Sequence, residues 1–175
     1  DKVAFAADLN AFAEKEKNAT LGGIDIQPFK PENMNKLAFM SATGSGKTLI
    51  MHINISQFQH YLKRARLVNP HTVINKIIVL APNEGMANQH LDELKLSHIQ
   101  AEMFTKGLGS YGSDVVVIDM NKLKEEGKVK TVSVDSFEQN NLVLVDEAHR
   151  GLAGDVWYDY RSRLSAEGGF AFEYS

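Results

Sequence analysis

The sequence of 175 residues predicts an α/β fold, a parallel sheet with helices on both of its faces. Three observations point to it. Runs of nearly unbroken apolar residues, Ile77-Ile78-Val79-Leu80-Ala81, Val115-Val116-Val117-Ile118 and Leu142-Val143-Leu144-Val145, read as strands buried on both sides, as in parallel sheets. Stretches of helical period lie between such runs, so each strand passes to the next through a crossover, and crossovers within one parallel sheet are right-handed. At roughly 150 residues per domain the chain holds one domain, or one domain with a small appendage.

Taken in order, Phe5, Leu9 and Phe12 fall at i, i+4 and i+7 and predict an amphipathic helix over residues 3–16 with these three on its packed face. Residues 18–35 carry Gly22-Gly23, Pro28 and Pro31 and hold no period, so residues 1–35 are an N-terminal helix and connector. The main domain, 36–175, begins with the short apolar run 36–40, a Gly-rich turn and a helix over 49–62. A second strand, 76–81, is closed by Pro82, and Ala87, Leu91 and Leu94 at helical spacing follow it. Further strands are expected at 114–118, 129–134 and 142–145. Residues 105–113, with Gly107, Gly109 and Gly112, read as a surface loop, and the mixed charges of 122–130 as a solvated face.

Composition excludes several classes. With 43% apolar and 23% charged residues the chain is neither disordered nor fibrous. No apolar run approaches the roughly 20 residues that span a membrane. The N-terminus, with Asp1 and Asp8, lacks the basic start and apolar core of a signal peptide, so a cytoplasmic protein is expected. The absence of cysteine removes disulfide scaffolds and thiolate zinc sites. A net charge of −3 means that any nucleic-acid contact is local rather than a global basic surface.

Two segments carry chemistry. Ser41-Ala42-Thr43-Gly44-Ser45-Gly46-Lys47-Thr48 lies between an expected strand and its helix, the setting of a phosphate-binding P-loop. There the glycines let successive backbone N–H groups turn inward onto phosphate oxygens, and the helix dipole adds to the attraction. Lys47 supplies a cation for the β- and γ-phosphates and the Thr48 hydroxyl a Mg²⁺ position, so ATP and Mg²⁺ are the expected ligands. The first position of the usual motif, Gly or Ala, is Ser41 here.

In the second segment, Leu142 to Val145 end in Asp146-Glu147-Ala148-His149, which places two carboxylates at the C-terminal edge of a buried strand, where parallel sheets bind ligands. Asp146 is expected to hold Mg²⁺ through its water shell, and Glu147 to orient and deprotonate the attacking water. His149 is assigned to coupling nucleotide state to a neighbouring domain. An acid-decorated helix N-terminus would explain the Asp146-Glu147 pair taken alone, but not its occurrence beside a P-loop.

Thr43-Gly44-Ser45-Gly46-Lys47-Thr48 together with Asp146-Glu147-Ala148-His149 resembles motifs I and II of superfamily 2 helicases and translocases of the DEAH type, and the resemblance covers most of the chain. The same segments, with Pro82-Asn83-Glu84-Gly85 and the following Gln89-His90, are similar to Res-subunit-like proteins of type III restriction systems. That resemblance implies a RecA-like P-loop NTPase domain. It also implies a nucleic-acid backbone contact at Pro82 and Asn83, where Asn83 stands in place of a common Thr. Val115 to Asp119 takes the place of a motif Ib strand, with Asp119 where a Thr or Ser is common; an acid there would repel phosphate. Pro28 and Pro31 break the helix that in DEAD-box RNA helicases carries an adenine-reading Gln, so Gln27 is not assigned that role.

Trp157, Tyr158 and Tyr160 with Arg161 and Arg163 read as the packed face of a helix with snorkelling arginines rather than as a stacking surface. Residues 170–174 look like the strand leading into motif III, which would begin at Ser175. The resemblance implies a second RecA-like domain beyond that point, supplying an arginine finger. It implies a nucleic-acid partner, DNA favoured over RNA, and a subunit of a restriction-modification or defence complex, with no membrane partner. A DEAH-type RNA helicase domain, a P-loop ATPase motor acting on protein partners and a non-enzymatic nucleotide-gated module are the alternatives. The Pro82 turn and the full acidic box weigh against the second, and the intact catalytic set against the third.

Overall fold

The computed structural model describes residues 2–19, 26–42, 44–105, 112–123, 137–147 and 154–175. It forms two units, 1–36 and 37–175.

In the first unit, α1 (Lys2–Ala19) is followed by a 3-10 turn at Pro31–Asn33. The Asn10 amide ties helix to connector: Nδ2 donates to the Phe29 carbonyl at 2.9 Å and Oδ1 accepts from the Phe29 N–H at 2.7 Å. The expected packed stripe does not form. Phe5 and Phe12 are 57% and 61% exposed, while the small Ala6 is buried. So short a unit has too little surface of its own to wrap a helix face, and a polar pair anchors it instead.

The second unit is built on one parallel sheet of six strands, β1 (Lys36–Phe39), β2 (Ile77–Ala81), β3 (Ala101–Met103), β4 (Val115–Asp119), β5 (Leu142–Asp146) and β6 (Phe170–Tyr174), in the order β1-β6-β5-β2-β4-β3. The α/β fold expected from the apolar runs is therefore present. Every residue of β2, β4 and β5 is buried, as strands covered on both faces must be. Two strands depart from the expectation. β1 is an edge strand with Leu37 half exposed, so its apolar run marks a sheet margin rather than the centre. β3 pairs with β4 at the opposite edge in only three residues, Ala-Glu-Met, too short and too polar to be read from the sequence. The run expected at 129–134 lies outside the described residues.

Side-chain alternation divides the core in two. Ile77, Val79, Ala81, Val115, Val117, Leu142 and Leu144 face α2 (Lys47–Val68) and α3 (Glu84–Leu96), which contribute Met51, Ile55, Ala87 and Leu94. Ile78, Leu80, Val116, Ile118, Val143 and Val145 face the other side, where Tyr160 and Leu164 of α4 (Gly154–Leu164) pack with Met120 and Leu123. Tyr160 takes the packed position expected of it, and Arg161 and Arg163 pair with Glu173 and Asp159; the side chains of Trp157 and Tyr158 lie outside the described residues. Leu123 corrects the reading of 122–130 as a wholly solvated face. A 3-10 turn at Met120–Leu123 rotates Leu123 into full burial, while 124–130 lie outside the described residues.

At the N-terminal edge of the sheet, Asn141 joins three segments. It is 1% exposed; its Oδ1 accepts from the Lys76 N–H at 3.0 Å and its Nδ2 donates to the Leu164 carbonyl at 2.9 Å. Its amide holds the start of β5 against the start of β2 and the end of α4. Asn141→Ala takes the acceptor from the part-buried Lys76 N–H and leaves the Leu164 carbonyl only the 3.3 Å bond from the backbone N–H of residue 141. It is expected to destabilise the chain by about 1–3 kcal/mol, read as a lower urea midpoint with an unchanged slope.

Candidate functional site

The parallel sheet sends every strand's C-terminal end to one edge, and that edge collects the motif residues. β1 runs into the loop 41–46 and then into α2, whose first residue is Lys47. The Ser45 N–H donates to the Ala42 carbonyl at 3.1 Å, closing a tight turn. Gly44 and Gly46 take φ of +78° and +90°, the left-handed region. A Cβ at either would meet no atom within 4 Å, so backbone conformation rather than lack of room asks for glycine. Gly46 caps α2 without any side-chain acceptor. The first-turn N–H groups of Lys47 and Thr48 therefore have no intrahelical partner and point out of the helix end, where an anion is favoured.

On β5, alternation turns Asp146 to the same side as Leu142 and Leu144, the side of α2 and α3. Glu147, one residue on, adopts φ +50°. That left-handed turn costs about 1–3 kcal/mol for a non-glycine residue, and it breaks the strand's alternation. The Glu147 carboxylate thereby comes within 3.8 Å of Lys47 Nζ, and the same ammonium donates to the Ser41 carbonyl at 3.4 Å. Both side chains are largely shielded, 11% and 16% exposed. Lys47, Thr48, Asp146 and Glu147 are thus held by elements far apart in sequence but adjoining at one edge. Thr43 and His149 lie outside the described residues.

Pro82 and Asn83 sit at the same edge, after β2. Asn83 is the N-cap of α3, and its Oδ1 accepts the Met86 N–H at 2.9 Å. The Pro82 carbonyl accepts from Asn121 Nδ2 at 3.2 Å. Asp119 is buried, its Oδ1 accepting from the Asn121 N–H and side-chain amide at 2.9 and 3.1 Å, so it locks the turn after β4.

One residue of the edge escaped the sequence reading as a site residue. His90 on α3 places Nε2 2.9 Å from Asp146 Oδ2, with both residues buried. The available signal was its position: Ala87, His90, Leu91 and Leu94 form one i, i+3, i+4, i+7 stripe, and a histidine in an apolar stripe needs a partner. Nearby, His52 of α2 shares a hydrogen bond of 2.8 Å between its Nδ1 and Ser97 Oγ, and its Nε2 is buried without a partner.

The residues fit a magnesium nucleotide by their donor chemistry. A hydroxyl at Thr48 and a carboxylate at Asp146 are hard oxygen donors, beside N–H groups and an ammonium suited to phosphate. Among the described residues no three His, Cys, Asp or Glu side chains form a cluster able to hold a metal.

The family model described as type III restriction enzyme, res subunit (ResIII) matches residues 6–166. The chain belongs to this family. This ResIII chain has an α/β fold built on one six-stranded parallel sheet. No curated protein matches it. Among solved structures it is similar to arterivirus nonstructural protein 10 (helicase) in complex with DNA, at 13% identity and a TM-score of 0.41, over 81% of this chain and 28% of that one. The ResIII chain thus spans under a third of that helicase's length. No described helix is long and apolar enough to cross a membrane.

Burial lowers the pKa of His52 from its ordinary 6.5, with Glu93 opposing and His90 adding to the shift. The unfolded chain therefore takes up a proton that the folded chain resists, and stability is complete above about pH 6.5 and falls as pH drops below it. His52→Asn, which keeps an amide beside Ser97, is expected to shrink the difference between urea midpoints at about pH 5.5 and about pH 7.5.

Proposed function

We propose that this domain binds and hydrolyses ATP to drive a translocase or helicase on nucleic acid, DNA favoured over RNA, within a restriction or phage-defence system. The observation that carries the proposal is the approach of Lys47 and Glu147 to 3.8 Å beside the open N-terminus of α2. Two motifs distant in the chain meet where a phosphate would lie, and their charges are the pair that phosphoryl transfer to water needs: a cation for the γ-phosphate and a carboxylate for the attacking water.

Each residue has a role in this reading. Backbone N–H groups of Thr43, Gly44, Ser45, Gly46 and Lys47 cradle the phosphates, and Lys47 Nζ adds a full charge to them. The Thr48 hydroxyl and the Asp146 carboxylate hold Mg²⁺, whose chemistry is to neutralise charge on the β- and γ-phosphate oxygens. Glu147 orients the water and accepts its proton. The left-handed backbone at Glu147 supports this division of labour, because it breaks the alternation that would carry the second acid to the face opposite Asp146 and brings it to Lys47 instead.

Nucleic-acid contact is proposed at the turn of Pro82 and Asn83 through backbone groups, the Asn83 Oδ1 being engaged as a cap. Such contacts read phosphate and not base sequence. We further assign His149 to coupling. The domain division at 35/36, a second RecA-like domain supplying an arginine finger, a partner subunit in a defence complex and a cytoplasmic location complete the proposal.

Lys47→Ala is expected to abolish ATP binding in a fluorescent-nucleotide titration. Equal affinity in the two proteins would refute the cradle. Glu147→Gln is expected to bind ATP as wild type and, in the full-length protein, to hydrolyse it about 10²–10⁴ times more slowly. Phosphate release from that protein with single-stranded DNA, duplex DNA and RNA then separates the substrates: stimulation by DNA supports the assignment, and stimulation by none of the three refutes a nucleic-acid motor.

A further inference from the structure

The Asp146 carboxylate is gripped from one side. Its Oδ2 lies 2.9 Å from His90 Nε2, and both side chains are almost wholly enclosed, at 9% and 4% exposure. Among the described residues its other oxygen, Oδ1, has no hydrogen-bond partner. An ionised carboxylate can only accept, so the Nε2 of His90 carries the hydrogen and donates it. The imidazole's other nitrogen, Nδ1, is buried and has no hydrogen-bond partner among the described residues. The ring is therefore poorly satisfied by its surroundings and makes a single directed bond, to Asp146.

The placement follows from the fold. His90 sits on the inner stripe of α3 between Ala87 and Leu94, both fully buried against the sheet. Leu80 is in register with Val145, so Asp146 is level with the end of β2, the strand from which the chain turns into α3. α3 packs rigidly through its apolar neighbours, and its Asn83 cap fixes where the helix starts. The imidazole is thus delivered to Asp146 by a braced element rather than by a loop.

We propose that His90 is a positioning residue for the metal site: its Nε2–H holds Oδ2 of Asp146 and leaves Oδ1 directed to the cation that accompanies the nucleotide. This rests on the reading of Asp146 as the metal-holding carboxylate. Partners that hydrogen-bond a ligating carboxylate fix its orientation, and their loss typically weakens metal binding 10- to 100-fold. An apolar side chain at position 90 would fill the stripe as well or better but would free the carboxylate to rotate.

The test measures metal affinity rather than turnover. Free Mn²⁺ is followed by electron paramagnetic resonance as it titrates the full chain saturated with ADP, and ADP affinity is measured separately in EDTA. Asp146→Asn sets the floor. His90→Leu is expected to weaken Mn²⁺ binding about 10- to 100-fold with ADP affinity in EDTA unchanged. His90→Gln, whose amide nitrogen reaches the place of Nε2, is expected to restore Mn²⁺ binding to within about threefold of wild type, whereas a purely structural role for the ring would not be rescued in this way. Should His90→Leu fail to fold, His90→Asn, whose shorter amide does not reach Asp146, replaces it. Wild-type Mn²⁺ affinity in His90→Leu or His90→Asn, with Asp146→Asn impaired, overturns the proposal alone. Wild-type affinity in Asp146→Asn overturns the assignment of Asp146 beneath it.

Discussion

A strand buried on both faces can carry charge only where it leaves the sheet, and the organisation of this domain follows from that constraint. β2, β4 and β5 have no exposed residue, so the acids that end β4 and β5 fall at the sheet's rim. Because the strands are parallel, the rims coincide. Asp119, Asp146 and the turns after β1 and β2 are gathered at one edge without any further specification. Antiparallel pairing of the same runs would scatter them between two edges and leave no shared site.

What separates these acids is local. Asp119 is consumed by the turn after its own strand, accepting two hydrogen bonds from Asn121. Asp146 keeps an oxygen unengaged, and Glu147 is swung off the strand by a left-handed backbone that costs free energy where it stands. Strain of this kind persists when surrounding structure determines it, and here the return is a carboxylate beside Lys47 rather than one carried by alternation to the opposite face of the sheet.

Beneath the edge runs a strip of buried polar atoms between α2 and α3. His52 Nε2, His90 Nδ1 and Glu93 Oε2 are all enclosed and have no hydrogen-bond partner among the described residues, although each such group costs about 1–3 kcal/mol when left unpaired. The same two helices supply Met51, Ile55, Ala87 and Leu94 to the larger apolar face, so the strip sits inside well-packed surroundings that offset its cost. The arrangement sacrifices stability next to Asp146, the kind of conflict expected beside a functional residue.

Much of this was legible in the amino acids. Buried runs announced the central strands and their direction, since only a parallel sheet asks for apolar residues on both faces. The loop before α2 and the acids after β5 announced their chemistry through residue types that few purely structural segments need together. Other features depended on neighbours that no local pattern records. β3 exists because β4 offers a free edge to three residues of low strand propensity. Phe5 and Phe12 kept the spacing of a packed face while their own unit had no core to receive them. Leu123 was read with the charges around it and is buried by a turn. His90 was read only as part of the family resemblance, with no role assigned, until the register of β2 on β5 brought Asp146 beside it. The sequence by itself determined the fold class and the inventory of reactive groups, because periodicity and residue chemistry are local. Tertiary structure alone decided which of those groups touch, because parallel register and the pitch of α3 convert distant positions into distances of a few ångströms.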